Sequence, residues 1–130
     1  MQRRVVNLGD EAADLPYSSA VYARGDFIYT SGHAGFVPET GEAPAGIQAQ
    51  TEQALENLRE VLEAAGTKLE HVVKVNVYLA EVEDFAAMNE VYRRYFPSDR
   101  PARSTVGARL VRPDLLVEIE MVALLPGNAQ

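Results

Sequence analysis

The sequence has 130 residues, of which 47% are hydrophobic and 24% charged, so it predicts one globular domain spanning residues 1–130 rather than two domains. The net charge of -7, without a dense basic run, disfavours binding to nucleic-acid phosphates. The absence of cysteine excludes disulfides, zinc–thiolate and iron–sulfur sites, and any cysteine nucleophile. No apolar run approaches the roughly 18 residues that span a bilayer, and the start of the chain does not resemble a signal peptide. We therefore expect a cytoplasmic protein that has no membrane partner.

The first part of the chain carries three short β-strand signals, at residues 4–8, 20–24 and 27–31. The last two are predicted to form a hairpin through Gly25 and Asp26, because this residue pair is typical of tight turns. The segment 38–42, which reads Pro-Glu-Thr-Gly-Glu, predicts a further turn.

Residues 47–65 form the clearest periodic segment of the sequence. Apolar residues recur there at spacings of three and four, and the intervening positions are mostly glutamate, glutamine and arginine. Pro44 and Gly46 precede the segment, and Gly66 follows it, where a glycine ends a helix without strain. The pattern therefore predicts a helix from Ile47 to Ala65.

The second half of the sequence predicts one helix between strands. Alternation of valines with polar residues indicates a strand over 72–79. From Phe85 to Phe96 the apolar residues return to helical spacing, and Pro97 ends this second helix. A short strand is predicted at 104–108, and a last strand at 116–124.

The resulting order, β-β-β-α-β-α-β with the short strand at 104–108 in addition, indicates an α+β fold in which two helices cover one face of a single sheet. The other face carries polar and apolar side chains together: Lys74, Asn76, Tyr78, Glu118, Glu120, Val122 and Leu124. Such a mixed face is typical of a subunit interface with embedded functional groups, and an ordinary solvated sheet face is the alternative.

Two charged residues are candidates for chemistry. Arg103 lies among small and apolar neighbours in a predicted loop, where a guanidinium can present a bidentate fork to a carboxylate. A structural or surface arginine is the alternative. Glu118 lies on the mixed face, where a partly packed carboxylate can acquire a pKa suited to proton transfer. An ion-pair partner is the alternative for Glu118 and for its neighbour Glu120.

Smaller signals lie before the first helix. Tyr17 lies in a loop, and Ser31 and Gly32 end the third predicted strand with groups that can bind a small ligand. A half-buried loop aromatic and a strand-end cap are the alternatives for Tyr17 and Ser31. His33 and His71 are far apart in sequence and lack adjacent ligands, so no metal site is predicted.

A family resemblance runs through nearly the whole chain. It rests on the segments 15–20 (LPYSSA), 30–32 (TSG), 38–42 (PETGE), 63–66 (EAAG), 73–78 (VKVNVY), 84–92 (DFAAMNEVY), 101–104 (PARS) and 117–120 (VEIE). Together these segments resemble the Rid family of reactive intermediate deaminases, also called RidA or YjgF-like proteins. The last two segments are the most specific.

The resemblance implies a chorismate-mutase-like α+β fold, assembled as a homotrimer with pockets between subunits. It also implies hydrolysis of 2-enamino and 2-imino acids, such as 2-aminoacrylate and 2-iminopropanoate, to 2-keto acids and ammonia. Neither a cofactor nor a metal is implied. The expected partners are the small-molecule substrate and two further copies of the chain.

The resemblance also implies roles for individual residues. The catalytic residues would be Arg103, which binds the substrate carboxylate, Glu118, which lies near the reacting carbon, and Tyr17, which lines the pocket. The substrate-binding residues would be Ser31, Gly32, His33, Asn89 and Thr105. The sequence departs from the common family pattern at Leu15, His33 and Thr105, so we expect the substrate preference to differ more than the reaction.

Two other functions compete with imine hydrolysis. A non-catalytic trimer that binds small carboxylates would use the same arginine. An RNA-cleaving inhibitor of translation is the other alternative, and the net charge of -7 weighs against it.

Overall fold

The computed structural model describes residues 2–9 and 14–127 of the chain. The strands are β1 (Gln2–Val6), β2 (Ala20–Arg24), β3 (Asp26–Tyr29), β4 (His33–Ala34), β5 (Val72–Leu79), β6 (Ala102–Gly107) and β7 (Val117–Leu125). The helices are α1 (Ile47–Ala65) and α2 (Phe85–Tyr95), and short 3-10 turns lie at Leu69–His71 and Val82–Asp84. Neither α-helix of the described ranges is both long and apolar enough to cross a membrane.

The strands form two groups. The larger sheet has the order β3-β7-β5-β6, and the short β4 also pairs with β7. In this sheet β7 runs antiparallel to β3, β4 and β5, whereas β6 runs parallel to β5. The smaller group is the antiparallel pair of β1 and β2. The nine-residue strand β7 therefore lies inside the sheet and pairs with β3 and β4 from the first half of the chain and with β5 from the second half.

The core lies between the two helices and one face of the larger sheet. Val75, Val77 and Ile119 from the sheet are fully buried there against helix residues that include Leu58 and Tyr92. The apolar stripe of α1 predicts this packing, since each turn of the helix presents its leucines to the same side. Gly66 ends α1 in the left-handed region at φ 92°, which costs a glycine little.

The predicted fold class is confirmed: the protein is an α+β domain with two helices on one sheet face. Helix α1 and strand β5 have the predicted bounds, and α2 ends just before Pro97 as expected. Strand β6 begins two residues earlier than predicted. It pairs with β5 from Ala102 onward, so Arg103 lies inside a strand and not in the preceding loop.

The predicted hairpin between β2 and β3 is wrong. Only Gly25 separates Arg24, the end of β2, from Asp26, the start of β3, and one residue is too short for a hairpin loop. Gly25 has a φ of 142° and directs the chain away, so that β2 pairs with β1 and β3 pairs with β7. The strands therefore fall into two groups and do not form the single sheet that the sequence predicts.

The mixed sheet face is present as predicted over most of its length. Lys74, Asn76, Tyr78, Glu118 and Glu120 are all half-buried in the single chain. The amide of Asn76 donates a hydrogen bond to Glu120 over 3.1 Å. Leu124, which was predicted on the same face, is fully buried.

Candidate active site

Arg103 projects from β6 into the edge of the core. It lies opposite Val75 in the parallel pairing, and since paired residues point to the same side, its side chain points toward the helices. Its guanidinium carbon lies 4.6 Å from the ring centre of Tyr92, 5.5 Å from that of Tyr17 and 5.7 Å from that of Phe85. The charge is thus surrounded by three aromatic rings that can stabilise a cation.

The three aromatic rings come from two distant parts of the sequence, the loop at Tyr17 and helix α2. Phe85, Asn89 and Tyr92 follow the spacing i, i+4 and i+7, and therefore form one stripe on α2. Tyr17 reaches the same place because the amide of Ser18 donates to the carbonyl of Pro101 over 3.2 Å, which joins the Tyr17 loop to the start of β6.

Arg100 fixes this junction from the other side. Its Nε donates to the carbonyl of Phe96 over 2.7 Å, and its Nη1 donates to the carbonyl of Leu15 over 2.8 Å. The end of α2 and the loop that holds Tyr17 are thereby joined by one side chain. Each of the three nitrogens of Arg100 donates to a backbone carbonyl, so Arg100 is a structural arginine, in contrast to Arg103.

Several buried polar atoms at this site are unpaired among the residues that the structure describes. Among the described residues, no hydrogen-bond partner is present for Nε, Nη1 or Nη2 of Arg103, for the hydroxyl of Tyr92, or for Oδ1 of Asn89. Arg103 itself is only 9% exposed. A buried, unpaired charge is costly to a fold, so such a cluster is typical of a binding site that a ligand completes.

The electrostatics of the cluster follow from burial. Burial lowers the pKa of Arg103, and the neighbouring Tyr92 and Tyr17 oppose that shift. Burial also raises the pKa of the Tyr92 hydroxyl, so this group stays neutral beside the cation. The guanidinium keeps its charge in proteins, and a carboxylate matches its planar fork of donors.

Glu118 forms a second group of residues with the segment that leads into β4. A Cβ atom built on Gly32 would overlap the Glu118 carboxylate, so a side chain at this position would require Glu118 to move. His33 follows Gly32 and is half-buried. Burial lowers the pKa of His33, and the charge of Glu118 opposes that shift. Ser31 precedes Gly32 and is exposed.

The predicted site residues therefore divide into two groups. The first, which we call the arginine half-site, contains Arg103, Tyr17 and Asn89, and Thr105 lies two residues beyond Arg103 on the same side of β6. The second, the glutamate half-site, contains Glu118 and Gly32. Ser31 and His33 flank Gly32 along the chain, and His33 is paired with Ile119, so its side chain points to the helix-covered side of the sheet.

The expectation that Glu118 shares a face with Arg103 and Tyr17 is wrong within one chain. Glu118 lies opposite Tyr78, on the mixed face, whereas Arg103 lies opposite Val75, on the helix-covered face. The alternation of β7 predicts the direction of Glu118 correctly. The direction of Arg103 depends on the register between β6 and β5, which the local sequence does not reveal.

Phe85 and Tyr92 were not predicted as site residues. Their helical spacing with Asn89 marks them as members of one stripe, but that spacing is shared by residues of an ordinary core. Their contact with the buried Arg103 is the observation that distinguishes them from ordinary core residues. Within the described ranges, no group of three or more His, Asp or Glu side chains is placed to hold a metal ion.

Comparison with known proteins supports a single family. The family model described as Endoribonuclease L-PSP matches residues 10–125. A RutC family protein of Pyrococcus horikoshii is 48% identical over 109 residues, which cover 83% of this chain and 86% of that protein. The 2-iminobutanoate/2-iminopropanoate deaminase of Capra hircus is 40% identical over 124 residues, which cover 94% of this chain and 90% of that protein.

The fold comparison agrees with the sequence comparison. The crystal structure of E. coli TdcF with bound serine superposes with a TM-score of 0.73 at 31% identity, over 93% of this chain and 99% of that one. Because the family model spans the two half-sites and nearly all of the described fold, the chain belongs to the Rid family, the reactive intermediate deaminases grouped under Endoribonuclease L-PSP.

Proposed function

We propose that this protein hydrolyses 2-imino and 2-enamino acids to 2-keto acids and ammonia. The observation that carries the proposal is the buried guanidinium of Arg103, for which the described residues offer no hydrogen-bond partner. A small carboxylate would complete its hydrogen bonding. The goat relative, which is named as a deaminase of 2-iminobutanoate and 2-iminopropanoate, supports the same substrate class.

The substrate carboxylate reaches Arg103 from the side of Tyr17 and Phe85. Phe85 is 43% exposed and Tyr17 is half-buried, whereas Tyr92 is fully buried behind the guanidinium. Two parallel hydrogen bonds from the guanidinium hold the substrate in one orientation. The amide of Asn89, whose oxygen is buried and unpartnered among the described residues, is available to the substrate nitrogen.

Hydrolysis of an imine needs one water molecule and a group that moves protons. The water oxygen bonds to the imine carbon, the carbon–nitrogen bond then breaks, and nitrogen leaves as ammonia while the carbon becomes the keto group. Glu118 takes one proton from the attacking water and passes it to the imine nitrogen. It then takes the proton of the new hydroxyl group and passes it to the same nitrogen as the carbon–nitrogen bond breaks, which is general acid–base catalysis. No electron transfer is involved.

The two half-sites lie on opposite faces of one chain, so a complete site needs two copies. The arginine half-site of one copy would face the glutamate half-site of the next, and a ring of three copies would close with three equal sites. The half-buried polar residues of the mixed face support this arrangement, since an interface would cover them.

We therefore expect the protein to be a homotrimer. Light scattering on a size-exclusion column should give about three times the chain mass of 14.2 kDa at micromolar concentration. A stable monomer that is fully active would contradict the shared site.

The proposed reaction is tested with 2-iminopropanoate that an amino-acid oxidase generates in a short burst from alanine. The decay of the imine is then followed by the release of ammonia and 2-keto acid, with and without the protein. We expect release well above the spontaneous rate. Binding of a small carboxylate, such as serine, without any acceleration would instead support the non-catalytic alternative.

A further inference from the structure

The ring of Tyr17 differs from the other parts of the arginine half-site in how it is held. Phe85 and Tyr92 lie on α2, and Arg103 lies on β6. Tyr17 instead lies in residues 14–18, which we call the Tyr17 segment and which belong to neither the α-helices nor the strands. The position of its ring, 5.5 Å from the guanidinium carbon to the ring centre, therefore depends on contacts at the two ends of this segment.

The end of the Tyr17 segment at Ser18 is attached to β6. The amide of Ser18 donates to the carbonyl of Pro101 over 3.2 Å, and Ser18 forms an isolated parallel bridge with Ala102. Ser18 is also buried. Because Ala102 directly precedes Arg103 in the strand, this end of the segment is fixed relative to Arg103.

The start of the Tyr17 segment is held by two arginines. Nη2 of Arg93 donates to the carbonyl of Asp14 over 2.7 Å, and Nη1 of Arg100 donates to the carbonyl of Leu15 over 2.8 Å. The two acceptors are consecutive carbonyls of the chain. Arg93 follows Tyr92 on α2, so the helix that supplies two rings of the site also holds the segment that supplies the third.

The chain between the two ends is stiff. Pro16, which is buried, has its φ fixed by the proline ring at about −65° and restricts Leu15 to extended conformations. Few backbone conformations are therefore left for Tyr17 when Asp14 and Ser18 are both held. Fixing the two ends fixes the ring, and releasing one end frees it.

The side chain of Arg93 is held close to Arg103 although the two charges repel each other. Burial is the largest cause of the lowered pKa of Arg103, and the charge of Arg93 lowers that pKa further. Two like charges do not stay together without another interaction. The hydrogen bond to the carbonyl of Asp14 supplies that interaction, and it links Arg93 to the Tyr17 segment.

We propose that Arg93 is a positioning residue for the carboxylate site: by holding the carbonyl of Asp14, it keeps the ring of Tyr17 against the guanidinium of Arg103 before the ligand arrives. The inference rests on the proposed function, because it assigns how that carboxylate site is pre-organised. A segment that is already ordered does not have to be ordered on binding, which increases the affinity. Arg93 therefore acts on binding, through Tyr17, and not on the chemical step.

The test removes the donor with Arg93→Met and measures the Kd of serine and the kinetics of 2-iminopropanoate hydrolysis. Kd and KM should both rise by about fivefold, which corresponds to one hydrogen bond, while kcat stays within about twofold. Arg93 is exposed, so the variant should fold. Arg93→Lys should recover most of the affinity, because one N–H donor is sufficient for one carbonyl.

Hydrogen exchange distinguishes positioning from a general loss of stability. The amide of Ser18, which donates to Pro101, should exchange faster by about fivefold in Arg93→Met, while the amides of α1 keep their rates. An unchanged exchange rate at Ser18 would contradict the role of Arg93 in holding the Tyr17 segment.

Arg94→Met is the matched control, because it removes the same charge from the next position of α2, which is also exposed. It should leave Kd, KM and the exchange rate at Ser18 unchanged. An equal loss of affinity in Arg94→Met would show that charge alone acts and would overturn the positioning role. A loss in Arg93→Met that disappears at about 1 M salt, where the Debye length is about 3 Å, would overturn it for the same reason.

The positioning role and the proposed function can fail separately. If the unmodified protein accelerates hydrolysis and Arg93→Met keeps its Kd and KM, the positioning role is overturned and the proposed function stands. If the unmodified protein binds serine but does not accelerate hydrolysis, the proposed function is overturned, and the affinity of Arg93→Met for serine still decides the role of Arg93. Neither binding nor acceleration overturns both.

Discussion

Replacing Arg103 with methionine should lower kcat/KM for 2-iminopropanoate by roughly 10²-fold or more. In the proposed site, the variant would lose two charge-assisted hydrogen bonds to the substrate carboxylate and the orientation that they impose. Methionine is preferred to alanine for this test. Arg103 is only 9% exposed and packs against three rings, so a truncation would also leave a void among Tyr17, Phe85 and Tyr92.

Two further variants make this result specific. Arg103→Lys keeps the charge but not the fork of donors, so it should recover only part of the activity. Arg94→Met removes an exposed arginine from α2 and should leave kcat/KM unchanged. Activity in folded Arg103→Met equal to that of the unmodified protein would show that the carboxylate binds elsewhere.

Replacing Glu118 with glutamine should lower kcat by roughly 10²-fold while the affinity for serine or another small carboxylate is retained. Glutamine has nearly the shape of glutamate, so it still fits over Gly32, but it cannot accept and return a proton at neutral pH. Turnover and ligand binding measured on the same preparation separate the two effects.

Glu120→Gln is the matched control for Glu118. Glu120 lies two residues further along β7, on the same mixed face, and accepts a hydrogen bond from Asn76. We expect the Glu120→Gln variant to retain nearly all of the kcat of the unmodified protein. If Glu118 is instead an ion-pair partner between copies, Glu118→Gln should weaken assembly and keep the turnover of each assembled trimer. Unchanged turnover in an intact trimer would end the catalytic assignment.

The sequence predicts best those elements in which apolar residues repeat regularly over many positions. Helix α1 and strand β5 have the predicted bounds because each carries a regular pattern that ends at a turn. The pairing of β2 and β3 could not be predicted in the same way. A Gly-Asp turn signal indicates a change of direction, but whether a strand joins its sequence neighbour or a distant strand such as β7 depends on the whole sheet.

The sequence indicates several residues of the candidate site but not their arrangement. The sequence and its family resemblance point to Arg103, Tyr17 and Glu118, and the structure brings the first two within 5.5 Å of each other. The division into two half-sites follows from the register of β6 on β5 and of β7 on β5, which are contacts between distant segments. Phe85 and Tyr92 became candidates only through their contact with Arg103.

Under the proposed function, the buried guanidinium of Arg103, which has no hydrogen-bond partner among the described residues, would also couple the lifetime of this protein to its metabolite. A carboxylate that pairs with Arg103 would bind the folded protein and not the unfolded chain, and would therefore raise the free energy of unfolding by about 2.7 kcal/mol when its concentration is a hundred times Kd. A change of that size in the unfolded fraction alters how much of a protein escapes degradation in a cell. Accumulating substrate would thereby increase the amount of the protein that removes it, without any change in gene expression.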